Sequence, residues 1–226
     1  MTCPQCHRPT PSDAKFCPEC GARLSLVCTA CGVDNTPGSK FCKECGQVLA
    51  RVAVPLAAFW HTEVGPLTEI IHVWPYADLA ERARVRADAA KDANWPPKIQ
   101  EFIVKMDAEI MAPFSFLPAV KPGKMGPVFE MRYYNIKAGT LPDLIKRWEG
   151  KIGERVKLSP LVTAGNVDFG QANGFIHIWA YESMDQRLAI RNKAREMGVW
   201  PPPGGGDSLI AQANKIMLPA KFSPLQ

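Results

Sequence analysis

The segment Ile71-His72-Val73-Trp74-Pro75-Tyr76 recurs 105 residues further along the chain as Ile176-His177-Ile178-Trp179-Ala180-Tyr181. Three further pairs share this offset: Arg82 with Arg187, Arg86 with Arg191, and Trp95-Pro96-Pro97 with Trp200-Pro201-Pro202. Because similarity at one fixed offset is the mark of an internal duplication, the sequence predicts one supersecondary unit present twice.

Each copy is predicted to contain a hairpin followed by a helix. An apolar run, a glycine-containing turn and a β-branched run precede the repeated motif, which is the pattern of a hairpin. Asp78 with Glu81, and Ser183 with Gln186, have the spacing of a capping box, so a helix is expected to begin at each pair. The two Trp-Pro-Pro tripeptides are expected to end these helices, because proline has no amide donor.

A third segment in each copy is predicted to be helical from the spacing of its apolar residues. These residues are Ile99, Phe102, Ile103, Met106 and Ile110 in the first copy, and Leu209, Ile210, Ala213 and Met217 in the second. Weak closing strands are expected at Pro113–Phe116 and Lys221–Pro224.

Only the second copy has room for an opening strand and helix. The strand is predicted at Val128–Tyr134, and Thr140 with Asp143 marks the start of the helix. The apolar face of that helix consists of Leu141, Leu144, Ile145, Trp148 and Ile152. In the first copy, Gln47–Pro55 is too short for both elements, so the first copy is incomplete.

Residues from about 54 to 226 resemble the NIPSNAP family. The resemblance is carried by Thr62–Leu67, by both copies of the repeated motif, by Asn173 and by Phe129–Tyr134. It implies ferredoxin-like α+β units of the dimeric α/β-barrel type, with two sheets that close face to face within one chain. The first copy lacks the opening strand and helix that such a closure of two complete sheets would use.

All eight cysteines fall into two CxxC…CxxC sets that lie 25 residues apart. They are Cys3, Cys6, Cys17, Cys20, Cys28, Cys31, Cys42 and Cys45. Two CxxC turns can surround a metal with four thiolates, for which zinc is the usual ion and iron the main competitor. Disulfides belong to secreted chains, and no secretory h-region precedes Cys3. The pattern resembles the double zinc ribbon family and predicts two structural zinc ions.

The predicted fold class is α+β, with tandem ferredoxin-like (dimeric α/β-barrel) repeats preceded by a small zinc-ribbon module. The expected boundaries are 1–48 for the double zinc ribbon, 49–119 for the incomplete repeat and 126–226 for the complete repeat.

Charge and hydropathy set expectations about partners. Residues 1–50 contain five Lys or Arg and four Asp or Glu, so eight thiolates and two Zn²⁺ ions would bring the module to about −3. This charge disfavours nucleic acid and favours a protein partner.

The incomplete repeat predicts a homo-oligomer. The apolar stretch Val52–Trp60 is too short for a membrane span, and we expect a cytoplasmic, bacterial protein.

A candidate pocket lies on the motif strands, where side chains alternate between the two faces. His72, Trp74 and Tyr76 share one face, as do His177, Trp179 and Tyr181, and Asn173 lies at the hairpin turn. These aromatic faces are expected to line a pocket between the two sheets, although buried structural histidines would explain the same pattern.

Two function classes follow from these features. The favoured one is a non-catalytic adaptor, with ribbons that contact a protein and a body that assembles or binds a ligand. The alternative is a small-molecule enzyme of the dimeric α/β-barrel type, a cofactor-independent oxygenase or isomerase with His72 or His177 as base. No catalytic residue is assigned, since the sequence contains no nucleophile motif and no phosphate-binding loop.

Overall fold

The computed structural model describes residues 8–11, 14, 16–19, 26–28, 31–35, 42–46, 56–92 and 95–226. The chain divides into two compact units, one of Met1–Ala53 with Ala83–Pro96 and the other of Val54–Arg82 with Pro97–Gln226.

The first unit contains a short antiparallel pair, β1 (Leu26–Val27) and β2 (Asp34–Asn35), in which Leu26 is opposite Asn35. The second unit is built on one seven-stranded antiparallel sheet. Its strands are β3 (Ala58–Val64), β4 (Ile70–Val73), β5 (Ile110–Pro113), β6 (Val128–Ile136), β7 (Leu161–Phe169), β8 (Gly174–Tyr181) and β9 (Leu209–Pro219), in the spatial order β4-β3-β9-β6-β8-β7-β5.

Three helices complete the described elements: α1 (Leu79–Ala89), α2 (Leu141–Arg155) and α3 (Met184–Glu196). Both predicted capping boxes form. The Glu81 amide donates to Asp78 Oδ1 over 2.7 Å, and the Gln186 amide donates to Ser183 Oγ over 3.0 Å. These bonds satisfy amides that have no partner within the helix, which explains why the two helices begin there.

The tandem ferredoxin-like architecture is confirmed, and the second repeat is complete. Its strands β6, β7, β8 and β9 have the order β9-β6-β8-β7, with β6 paired on both edges. Within the described residues, the first repeat contributes β3, β4 and β5 to this sheet. Because β3 pairs with β9 and β5 pairs with β7, both repeats belong to one continuous sheet. The expectation that the two repeats form separate sheets facing each other is therefore wrong.

The sheet curls around an apolar interior that receives side chains from both of its terminal strands. Phe129, Ile178 and Met217 are buried there, and Ile71 of β4 and Met111 of β5 pack against the same cluster. The two ends of the sheet therefore face the same interior, as in a barrel that lacks one strand.

The two predicted third helices are wrong. The first segment contains a one-turn 3-10 helix at Gln100–Phe102 and then β5, and the second is the 11-residue strand β9. β9 lies between β3 and β6, and the hydrogen bonds on its two edges outweigh a helical spacing of apolar residues. The closing strand expected at Lys221–Pro224 is absent from this described segment, and in the first copy only Pro113 belongs to a strand.

The helices also end earlier than predicted. α1 ends at Ala89 and α3 at Glu196, several residues before the Trp-Pro-Pro tripeptides. After α3, Gly198 adopts a positive φ of 64°, a conformation that glycine tolerates best. Trp200 then packs against the core between α2 and the sheet.

Candidate functional site

The aromatic motif of the second repeat lies on the helix side of the sheet. On β8, Ile176, Ile178 and Ala180 pack into the curled interior, so His177, Trp179 and Tyr181 face the other way. There the His177 ring lies 4.9 Å from the ring of Trp148 on α2. The pocket expected between two sheets is thus wrong in location, because the curled interior is filled by other apolar side chains, Trp60 and Phe129 among them.

A cavity of about 410 Å³ lies on this side, between the sheet and the segments that carry α2 and α3. Its polar lining includes Arg132, Arg147, Arg155, His177, Arg191, Arg195 and Gln212. Its apolar lining includes Tyr134, Leu144, Trp148, Phe175, Trp200 and Leu209. None of the lining residues, all of which are within the described ranges, is an Asp or Glu. The cavity is therefore rich in positive charge and in hydrogen-bond donors.

The protonation of His177 follows from its contact with Trp179. The Trp179 indole Nε1 donates to His177 Nδ1 over 2.7 Å, and an indole can only donate. The His177 proton therefore resides on Nε2, which is buried and has no hydrogen-bond partner in the part of the chain that the structure describes. Burial, together with the charges of Arg132, Arg191 and Arg155, holds the pKa of His177 well below its ordinary value. His177 is thus a neutral hydrogen-bond donor in the cavity wall.

Arg155 is a buried cation at the end of α2, with 2% of its surface exposed. It donates to Ser159 Oγ over 2.8 Å and to Tyr181 Oη over 3.3 Å, and its guanidinium lies 4.0 Å from the centre of the Trp179 ring. Its Nε is buried without a partner. Within the described part of the chain, no carboxylate oxygen lies within 4.0 Å of it. Burial lowers the pKa of Arg155, since the charge is removed from water.

Glu130 is the buried carboxylate nearest this cluster. Its Oε1 accepts from Arg187 over 2.6 Å and from Arg132 over 2.9 Å, and Arg191 lies 3.7 Å from its Oε2. Burial alone would raise the pKa of Glu130, but the hydrogen bond and charge of Arg187, with the charges of Arg132 and Arg191, lower it. The two repeat-related arginines of α3, Arg187 and Arg191, therefore both face this carboxylate. Sequence reasoning missed Glu130, although a lone acid within an apolar strand was an available signal.

The other predicted pocket residues lie outside the cavity lining. Trp179 and Tyr181 are buried behind it, where they orient His177 and Arg155. Asn173 is exposed at the β7–β8 turn with a φ of 58°, and its carbonyl accepts from the Ile136 amide. Asn173 therefore stabilises the turn.

The first repeat preserves the motif geometry without its covering helix. Trp74 Nε1 donates to His72 Nδ1, as in the second repeat. His72 is exposed and stacks on Phe59, and burial of its ring lowers its pKa less than that of His177. Neither Trp74 nor Tyr76 lines the cavity. α2, which supplies Arg147, Trp148 and Arg155 to the cavity, has no counterpart among the described residues of the first repeat.

The second cysteine set forms a candidate metal centre. The sulfurs of Cys28, Cys31, Cys42 and Cys45 lie within 4.8 Å of one another, and the Cys28–Cys45 and Cys31–Cys42 pairs are 3.6 and 3.5 Å apart. A zinc tetrahedron with Zn–S bonds of about 2.3 Å has sulfurs about 3.8 Å apart. The residues therefore fit a four-thiolate zinc ion.

Backbone amides support this centre. Gly32 and Gly46 have φ values of 75° and 68°, which lets their amides donate to the carbonyls of Cys28 and Cys42 over 2.8 and 3.0 Å. The Glu44 amide donates to Cys42 Sγ over 3.4 Å, and backbone hydrogen bonds, that of Cys45 foremost, lower the pKa of Cys42 to about 6. Such donors stabilise a thiolate. In the first set only Cys17 is described, and Cys3, Cys6 and Cys20 lie outside the described residues.

The curled α+β sheet of two repeats and the four-thiolate ribbon define a zinc-ribbon protein of the dimeric α/β-barrel class. The chain belongs to the NIPSNAP family, whose model matches residues 35–118 and 129–224. A double zinc ribbon model matches residues 3–46. The chain therefore carries a zinc-binding cysteine cluster ahead of a NIPSNAP body.

Among its relatives, human "Protein NipSnap homolog 3B" is 30% identical over 181 residues, which cover 76% of this chain and 72% of that protein. Drosophila melanogaster "Protein NipSnap" is 24% identical over 188 residues, covering 78% and 67%. A crystal structure of a NIPSNAP family protein from Agrobacterium tumefaciens is 28% identical, covers 44% of this chain and 98% of that one, and has a TM-score of 0.41. Because animals appear among these sources, the expected bacterial origin is not supported.

No helix in the described ranges is long and apolar enough to cross a membrane.

Proposed function

We propose that this protein is a non-catalytic adaptor whose NIPSNAP body assembles through a free sheet edge and whose zinc ribbons contact a protein partner. Its working parts are residues 1–48, 49–119 and 126–226, and the ribbons hold two structural zinc ions. The reduced thiols that zinc requires suit a cytoplasmic setting. The observation that carries the proposal is the pair of edges, β4 and β5, at the two ends of the curled sheet.

The β4 edge has backbone groups available for pairing. The carbonyls of Glu69 and Val73 accept from β3, so by alternation the amides and carbonyls of Ile70 and His72 point away from β3. Among the described strands, none pairs with that side of β4. Ile71 and Val73 are only partly buried, although both pack on the interior cluster. A strand added here would complete hydrogen bonds and cover apolar surface.

The occupant that we propose is β4 of a second copy. Two β4 strands related by a two-fold axis pair in antiparallel fashion, so one self-complementary edge is sufficient. Ile70 is 59% exposed on this edge, and Leu67, in the preceding turn, is 68% exposed. Burial of Ile70 in the dimer supplies part of the driving force.

Sedimentation velocity tests this assembly. We expect the wild-type protein to be a dimer, Ile70→Lys to be a monomer and Leu67→Lys to remain a dimer. A charged edge residue disfavours strand pairing, whereas the same change in the turn leaves the edge intact. A monomeric wild type, or identical dimers for both variants, contradicts assembly through β4.

The ribbon role is supported by the closed thiolate set, which has no open coordination position for a substrate. Its test is affinity purification from cells of the source organism, with Cys42→Ser compared with Ile70→Lys. A partner that is retained by Ile70→Lys and lost by Cys42→Ser is assigned to the ribbons. If both variants retain the same proteins, the ribbons are not the contact module.

The geometry of His177 supports binding over base catalysis. A general base needs a free lone pair at the cavity, and the ring nitrogen of His177 that carries the lone pair, Nδ1, already accepts from Trp179. This contact leaves an N–H donor as the group that His177 can offer to a bound molecule.

A further inference from the structure

We propose that the cavity beneath α2 and α3 binds a compact aromatic anion, with its carboxylate or phosphate held by Arg155, Arg191 and His177 Nε2. The site is independent of assembly through β4, because every lining residue lies between Arg132 and Gln212. Failure of either proposal therefore leaves the other standing.

The first reason is the excess of buried donors. Arg155 Nε and His177 Nε2 are both buried with no hydrogen-bond partner among the described residues, and both residues line the cavity. A buried donor without an acceptor has lost its hydrogen bonds to water without replacement, which destabilises the folded state, and more so when the donor is charged. An oxyanion in the cavity can accept from such groups, whereas a cation cannot.

The second reason is the distribution of charge. Glu130 already accepts hydrogen bonds from Arg132 and Arg187, and it lies 3.7 Å from Arg191. Within the ranges that the structure describes, the hydrogen-bond acceptors of Arg155 are the neutral hydroxyls of Ser159 and Tyr181. Glu130, the one buried carboxylate among the described residues, therefore does not neutralise the surrounding guanidinium groups. Since an unpaired buried charge is costly, an anionic ligand is the complement that this cavity lacks.

The third reason is the shape and chemistry of the walls. Trp148 and Trp200 meet edge to face at 4.5 Å between ring centres, and Phe175 stacks on His177 at 5.1 Å. Such surfaces favour a flat apolar group on the bound molecule. A volume of about 410 Å³ is at the small end of ligand sites, which limits the ligand to one or two rings.

The chain offers matched controls through its own repeat. Arg86 occupies the position of Arg191, and His72 occupies that of His177, but neither lines the cavity. Substitution of these counterparts changes the same residue type at an equivalent position in the duplicated unit.

The experiment is a titration of the full chain, followed by tryptophan fluorescence and calorimetry, with benzoate, 2-naphthoate, phenyl phosphate, inorganic phosphate and the neutral benzamide. We expect an aryl anion to bind at least tenfold more tightly than benzamide and than inorganic phosphate. The comparison of benzoate with phenyl phosphate decides between the two headgroups. Equal affinity for benzamide and the aryl anions, or no binding by any of them, overturns the proposal.

Variants locate the site. Arg155→Met and Arg191→Met should each weaken aryl anion binding at least tenfold, and Arg86→Met, the counterpart of Arg191→Met, should bind like the wild type. Because Arg155 is buried and its variant can unfold, exposed Arg195→Met at the cavity lining serves as a second variant, with an expected loss of several-fold. Wild-type affinity in both Arg155→Met and Arg195→Met, or an equal loss in Arg86→Met, contradicts the site.

Discussion

Nη2 of Arg187 lies 2.6 Å from Oε1 of Glu130, although 57 residues separate them in the chain. This contact joins α3 to the centre of the sheet, because β6 is paired on both edges. Glu130 is fully buried and also accepts from Arg132, so it gathers the positive charge of two elements at one point. This carboxylate therefore links α3 to the central strand of the sheet through Arg187 and Arg191.

Glu130→Gln should lower the free energy of unfolding by about 3–5 kcal/mol, because it leaves buried guanidinium groups without a counter-charge. Urea denaturation followed by far-UV circular dichroism measures the loss. The matched control is Glu154→Gln, since Glu154 pairs with Lys157 on the surface, with both side chains more than half exposed. That change should cost less than about 0.5 kcal/mol. Similar losses in the two variants would show that Glu130 is not structurally special.

The protein should lose stability as the pH falls below about 6.5. The pKa of His177 is far below its ordinary 6.5 in the folded state, so the unfolded chain binds a proton that the folded chain excludes. The contribution of His177 to the free energy of unfolding is complete above pH 6.5. It is lost as the pH falls toward the folded-state pKa of His177, by about 1.4 kcal/mol per pH unit.

Between pH 4.5 and 6.5 the pH dependence of stability reports on His177 and not on Glu130. The pKa of Glu130 is lowered from 4.5, so the contribution of Glu130 to stability is lost only below pH 4.5. Urea denaturation across this interval should give a flatter dependence for His177→Gln than for the wild type. His72→Gln should flatten it less, since the pKa of His72 is lowered to a smaller degree. An unchanged slope in His177→Gln rules out the assigned protonation.

Metal analysis of the purified chain should find two zinc ions per molecule, and Cys42→Ser should retain one. The four sulfurs of the second set lie within 4.8 Å, so loss of one ligand opens the centre. Inductively coupled plasma mass spectrometry gives the stoichiometry. The control is Ser39→Ala, a conservative change outside both cysteine sets, which should leave two zinc ions bound. One ion or none in the wild type would refute the double ribbon.

Gly165→Ala should destabilise the pairing of β5 with β7. A Cβ at Gly165 would lie 2.2 Å from the Ala112 carbonyl oxygen and 2.8 Å from Pro113 Cα, so backbone would have to move. Loss of several °C in Tm is expected from thermal denaturation. Gly150→Ala, within α2 and with nothing near its Cβ position, should instead stabilise by about 0.5–1 kcal/mol. A neutral effect of Gly165→Ala would mean that β5 is not held as described.

Several features could be predicted from local residues because their causes are local. The capping pairs at Asp78 and Ser183 act within one turn, and the apolar stripe from Leu141 to Ile152 defines α2 by itself. The CxxC spacing similarly brings four sulfurs to one point. β9 was predicted as a helix because its identity depends on two neighbours, β3 and β6, that are distant in the chain.

The sequence by itself determined the duplication and the NIPSNAP and zinc-ribbon parts, since each depends on residue types at fixed spacings. Only the tertiary structure decided that both repeats share one curled sheet, that the His-x-Trp-x-Tyr face lies under α2, and that Glu130 meets Arg187. Those outcomes depend on contacts between residues that are far apart in the chain. The free energy of such contacts is set by burial and charge pairing, and not by local spacing.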